Sequence, residues 1–169
     1  SEGEICLCRN WFDENIRMQG DTKILPYDFK VGGKSLSKNI DDWDISVGAE
    51  SETGAFYRGG KTTYITLSHK SSAVTATVEA TIYEEKATCE WTVYIKNTSD
   101  KNSGVISDFY ALDSSFATGD AEIYCSMGSD TSASDFSLIK KSLTSFTKKF
   151  SGNEGKPTEK YLPYFNISG

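Results

Sequence analysis

Residues 73–97 contain two consecutive runs that alternate between apolar and polar side chains, a pattern that suits strands and defeats helices. Val74, Ala76, Val78, Ala80 and Ile82 fall on one side of the first run, and Thr75, Thr77, Glu79 and Thr81 on the other. In the second run Cys89, Trp91, Val93 and Ile95 alternate with Glu90, Thr92, Tyr94 and Lys96. A period of two sends successive side chains to opposite faces of an extended chain. A polar second face marks an antiparallel strand buried on one side only. Glu84-Glu85-Lys86 between the runs fits a hairpin connection.

The rest of the chain reads in the same way. Residues 62–69 are rich in β-formers, and residues 24–31 alternate before Gly32-Gly33, as a strand does on entering a turn. Residues 105–116 and 121–126 read as further strands, and residues 143–150 alternate again. Ile5-Cys6-Leu7-Cys8 fits a short strand, which would put both sulfurs on one face. Residues 132–141 are ambiguous between a helical turn and extended chain. Nine Tyr, nine Phe and three Trp, with 14 Gly and three Pro, favour strands and turns. Seven or more strands and no convincing long helix predict an all-β fold with little helix. It would be a single antiparallel β-sandwich domain spanning residues 1–169. Strands as long as the 73–84 run point to a large, supersandwich-like one.

Charge and motifs narrow the function. The 24 acidic and 18 basic residues leave a net charge of −6 and a pI near 4.9, which argues against nucleic-acid binding. No apolar run approaches the roughly 20 residues of a membrane-spanning helix. Cys6, Cys8, Cys89 and Cys125 lack zinc-site spacing and read as free thiols or one disulfide between distant strands. His69, the one histidine, has no nucleophile motif beside it. Gly59-Gly60-Lys61-Thr62 lacks the spacing and following helix of a phosphate loop. Asp41-Asp42-Trp43-Asp44 alternates oxygen ligands but lacks the bidentate glutamate of a calcium loop. No metal and no cofactor is expected.

Sugar binding needs ring faces beside polar acceptors. Trp43, flanked by Asp42 and Asp44, offers that combination on an expected loop, with simple packing as its alternative. Tyr57 and Arg58 in a Gly-rich turn come next. Trp91 lies on the apolar side of its strand and reads as core. Near the end, a charged loop runs into Tyr161-Leu162-Pro163-Tyr164-Phe165-Asn166. In one reading Tyr164 and Phe165 alternate across a strand, one inward and one outward.

Five segments, in order, resemble bacterial α-galactosidase-like proteins related to glycoside hydrolase family 36. They are Leu25 with Pro26-Tyr27-Asp28-Phe29 and Gly32-Gly33-Lys34-Ser35; Glu90-Trp91-Thr92-Val93-Tyr94-Ile95-Lys96-Asn97-Thr98; Ile106-Ser107-Asp108 with Ala111-Leu112-Asp113; Gly128-Ser129-Asp130 with Asp135-Phe136; and residues 150–166. The resemblance implies an N-terminal β-supersandwich ahead of a catalytic barrel that carries both catalytic aspartates. It therefore implies no catalytic residue in this chain, which would be an incomplete N-terminal portion supporting the parent's barrel and shaping the sugar site. Lys156 and Asn166 would then project toward the barrel mouth. Lys156 stands where the family has Arg, which removes a bidentate fork. The implied partners are the parent's barrel and a carbohydrate, a galactoside or plant polysaccharide. Sheet edges left open would favour a homo-oligomer. A free-standing carbohydrate-binding module with exposed aromatics is the alternative.

Overall fold

The computed structural model describes residues 1–19, 24–52, 59–115, 120–129, 131–143 and 161–168. Among the described residues the chain is all-β apart from one α-helix and a 3-10 turn, and every described strand pairing is antiparallel. It forms two compact units, Ser1–Ser114 and Ser115–Gly169.

The first unit is organised by the strands that the alternation marks. These are β5 (Gly60–His69), β6 (Val74–Tyr83) and β7 (Thr88–Asn97). With β3 (Trp43–Val47), and β4 (Ser51–Glu52) pairing on β5, they form a five-stranded sheet in the order β3-β5-β6-β7. The register sets Ile65 opposite Val78, Val78 opposite Val93, and Ala80 opposite Trp91, so one face is largely apolar, with Thr63 buried opposite Ala80. Ile65, Leu67, Val74, Ala76, Val78 and Ala80 are buried there. Each larger aliphatic side chain so buried contributes about 1.5–3 kcal/mol.

That face is covered by two further elements. A small sheet, β2-β1-β8, joins β1 (Asp28–Val31), β2 (Lys34–Ser35) and β8 (Ile106–Tyr110). The β1–β2 hairpin turns at Gly32-Gly33 with φ of 57° and 83°. A two-residue turn with both φ positive is where glycine carries no Cβ penalty. Tyr27 and Phe29 from this segment are fully buried in the common core. Of the expected strand over residues 105–116, Ile106–Tyr110 form β8, 111–115 are not strand, and 116 lies outside the described residues. Asp108 there takes φ 48°, the ladder shifts register, and the Asp113 amide leaves it to bond Pro26 O at 2.7 Å.

The second cover is α1, Glu2–Asn15, and it corrects the strand expected over residues 5–8. Ser1 caps the helix and Glu4 closes the capping box. Ile5, Cys8, Phe12 and Ile16 follow at helical spacing, and Phe12 and Ile16 are fully buried. Arg9 Nε meets Asp13 Oδ2 at 3.2 Å and Arg17 Nη1 meets Asp13 Oδ1 at 3.2 Å, both one helical turn apart. Arg9 Nη2 also reaches Glu50 Oε1 at 2.7 Å, tying the helix to the segment before β4.

The second unit is a three-stranded sheet, β10-β9-β11, of β9 (Glu122–Met127), β10 (Leu138–Ser142) and β11 (Tyr161–Ser168). The ambiguous stretch before residue 141 divides into a turn at residues 133–136 and then β10. Leu143 lies beyond β10, and residues 144–150, expected to alternate as a strand, lie outside the described residues. The register of β11 shifts between Tyr161 and Phe165, the stretch holding Pro163, where a residue without an N–H costs no regular ladder bond. Tyr164 and Phe165 are 60% and 53% exposed. Neither is an inward anchor, contrary to the in-and-out reading.

Candidate functional site

The aspartate-flanked tryptophan divides between the two sides of its sheet. A 3-10 turn, Ser37–Asp42, delivers the chain into β3. Trp43 then points inward, 5% exposed. Its ring meets Phe29 edge-on at 5.8 Å and His69 edge-on at 4.9 Å. The ring is packed between Phe29 and His69 with almost no exposure, so the packing alternative describes Trp43 better than the sugar-platform expectation. Asp44 points to the opposite face, 3.8 Å from Lys70 Nζ, and Asp42 lies 3.6 Å from Lys34 Nζ. The three side chains do not converge. Tyr164 and Asn166 lie on β11 of the second unit, and both are exposed. Tyr57, Arg58 and Lys156 lie outside the described residues.

A different constellation occupies the outer face of the five-stranded sheet. Tyr64 on β5 stands directly opposite Glu79 on β6, and Thr92 on β7 stands opposite Glu79 on its other side. Tyr94 is two residues beyond Thr92, on the same face. The Tyr64 hydroxyl donates to Glu79 Oε1 at 3.1 Å, and the Tyr94 hydroxyl donates to Glu79 Oε2 at 3.2 Å. One carboxylate thus holds two rings in fixed positions. Tyr64 and Tyr94 are 47% and 53% exposed. The Tyr64 phenol is pushed up from its ordinary range, first by the hydrogen bond to Glu79 and then by the charge of that carboxylate.

The surroundings are polar. Thr66, Thr75, Thr77 and Thr81 share this face, with Lys96 and Glu90 from β7. Thr62 and Thr81 are buried at the end of this face and bond each other at 2.8 Å, and Glu90 accepts from the Tyr83 hydroxyl at 2.8 Å. A carboxylate has about four acceptor positions, so two tyrosine donors leave room for further donors from a ligand. The face can stack an apolar ring surface and accept hydroxyl protons beside it. Among the described residues there is no group of three or more His, Cys, Asp and Glu side chains suited to a metal.

Sequence reasoning placed Glu79 and Tyr94 on polar strand faces without joining them. The join depends on register: Tyr94 meets Glu79 only once β6 and β7 pair with Val78 opposite Val93. Tyr64 was hidden in a run marked only as β-rich.

Two other features are structural. A cleft of about 220 Å³ is lined by Ile5, Arg9, Ile82, Tyr83 and Glu84. Its charged groups are committed elsewhere, Arg9 to Asp13 and Glu50, and Glu84 to Lys61 at 2.5 Å. His69 ends β5, and its Nδ1 accepts from the Ser71 amide at 3.2 Å.

Three of the five motif segments meet in the first unit. Lys30 Nζ pairs with Asp108 Oδ2 at 2.7 Å, and Trp91 Nε1 donates to Ala111 O at 3.1 Å. The Asp113 amide bonds Pro26 O, as above. These residues join strands to each other; none of the three contacts presents a group to a ligand. No protein-family model, curated protein or solved structure matches the chain.

Proposed function

We propose that the chain binds carbohydrate, without cleaving it, on the outer face of the five-stranded sheet. The observation that carries this reading is the Tyr64–Glu79–Tyr94 arrangement: two exposed rings tethered to one carboxylate on a threonine-rich sheet face. A pyranose offers an apolar C–H face for a tyrosine ring and hydroxyls for Glu79 and the threonines. Hydrolysis by the usual route needs two carboxylates about 5–10 Å apart across the bond. Glu79 is engaged in positioning the two rings, and Glu90 on the same face is engaged by Tyr83.

The α-galactosidase resemblance supplies the sugar class to try first, terminal α-galactosides, with plant polysaccharides second. In the wider reading the chain is the non-catalytic N-terminal sandwich of such a hydrolase, bracing its barrel and shaping its sugar site. That reading rests on the five sequence segments. The test is an NMR titration of the full chain with both sugar classes. Saturable shifts of the Tyr64 and Tyr94 ring signals are the expected result. Ring signals unmoved by every sugar tried would overturn the proposal.

A further inference from the structure

We propose that Cys8 and Cys89 form a reversible disulfide that staples α1 to β7 when the chain meets a small-molecule disulfide such as oxidised glutathione. The helix–strand packing sets the geometry. The rings of Trp11 and Trp91 lie 5.9 Å apart at 34°, which seats α1 on β7. Cys8 stands one helical turn before Trp11, and Cys89 stands one same-face position before Trp91. Three helical residues advance about 4.5 Å and two strand residues about 6.8 Å. Ile5 and Arg9 of α1 lie beside Ile82, the residue paired with Cys89, so α1 runs in the direction of β7 and the cysteines fall at the same interface as the tryptophans. Both are half-buried and pack at the edge of the core.

The two thiols are free, and both pack against the same core cluster where α1 meets β7. Thiols that share one helix–strand contact close to a disulfide by χ1 rotation more readily than thiols that need backbone movement. The other two cysteines are placed differently. Cys6 is exposed and lies two residues from Cys8, about 200° around the helix. Cys125 is buried in the second unit.

The exchange balances as follows. The Cys8 thiolate attacks one sulfur of glutathione disulfide, the S–S bond breaks, and one glutathione thiol leaves. The Cys89 thiolate then attacks the Cys8 sulfur of the mixed disulfide, and the second glutathione thiol leaves. Two protein thiols give up two electrons and two protons, and the oxidant takes them. Burial, then the neighbouring Cys8 sulfur, pushes the Cys89 thiol up to about 12, which leaves the first attack to Cys8. The closed bond links residue 8 to residue 89 across most of the first unit, so it restricts the unfolded chain strongly.

The test equilibrates the full chain across ratios of oxidised to reduced glutathione, traps remaining thiols with N-ethylmaleimide, and maps peptides by mass. The expected result is a linked peptide pair joining Cys8 and Cys89, with Cys6 still alkylated. The melting temperature should exceed that of the reduced chain by roughly 5–15 °C. The rise should vanish in Cys8→Ser and Cys89→Ser and persist in Cys6→Ser and Cys125→Ser. Thiols that stay alkylatable at the most oxidising ratio would overturn the proposal. So would a bond mapped to Cys6, glutathione adducts that never resolve, or a linked chain that melts no higher than the reduced one.

Discussion

Tyr64 and Glu79 occupy directly opposed positions on β5 and β6, and the tyrosine hydroxyl donates to the carboxylate at 3.1 Å. The same carboxylate takes a second donor from Tyr94 at 3.2 Å. Two rings are thereby held on a face otherwise made largely of threonines and charged residues, with Tyr83 bonded to Glu90. Rings held before a ligand arrives lose little freedom on binding it, which favours affinity.

If the rings carry sugar binding, they should be separable from their hydroxyls. Tyr94→Phe keeps the ring and should leave affinity within about threefold, whereas Tyr94→Ala should weaken it about tenfold or more. Glu79→Gln removes the charge but keeps an acceptor, and should fall between them. Calorimetric titration with the best sugar found would measure all three. Equal loss in Tyr94→Phe and Tyr94→Ala would remove stacking from the account.

Asp28 should govern acid stability of the first unit. Its Oδ1 accepts from the Phe29 and Ser37 amides at 2.9 and 3.0 Å, and its Oδ2 from the Ser35 and Ser37 hydroxyls at 2.7 and 2.9 Å. Burial pushes its pKa up, but these hydrogen bonds together outweigh it and leave the pKa below the ordinary 3.8. A depressed carboxylate stabilises the fold above its unfolded value, and that contribution is lost as pH falls through the folded value. Asp28→Ala should cost about 3 kcal/mol at pH 7, because the buried Phe29 amide and the part-buried Ser37 amide lose their acceptor. Asp28→Asn keeps one acceptor oxygen and should cost about 1 kcal/mol. Its deficit should shrink below pH 3.8, as the wild type loses its own advantage. Urea denaturation at several pH values measures both.

Tyr27 is a place where subtraction should help. Its ring is fully buried, and its hydroxyl has no hydrogen-bond partner among the described residues. Tyr27→Phe removes that buried polar atom and should stabilise by about 1 kcal/mol at pH 7. Burial also raises the phenol pKa above its ordinary 10.0. A raised acid stabilises below its unfolded value and loses that contribution as pH rises past it. The gain from Tyr27→Phe should therefore grow above pH 10.

Trp43 distinguishes packing from ligand contact. Trp43→Ala should cost about 3–5 kcal/mol, since the ring fills space against Phe29 and His69. Trp43→Phe should cost less and leave sugar affinity of the folded chain unchanged. A large affinity loss in a fully folded Trp43→Phe chain would restore a direct role for that ring.

Some elements were plain in the chain itself. The β6–β7 hairpin was legible because burial on one face imposes a period of two over many residues, and β7 runs over Thr88–Asn97 as the alternation predicts. The Gly32-Gly33 turn was legible because few other residues take positive φ twice in succession. The helix α1 carried readable signals, the Ser1–Glu4 capping box and the spacing of Cys8, Phe12 and Ile16, but four alternating residues at Ile5–Cys8 mimic a short strand. Short apolar runs do not distinguish the two periods.

The sequence by itself determined that this chain is antiparallel β, which strands are half-buried, and that Glu79 and Tyr94 face away from the core. Alternation carries that information because it is local. Only the tertiary structure decided that Trp43 turns inward, that α1 closes over β7, and that Tyr64, Glu79 and Tyr94 form one site. Those outcomes depend on register and on which element covers which face, and residues far apart in the chain meet only after the sheets have formed.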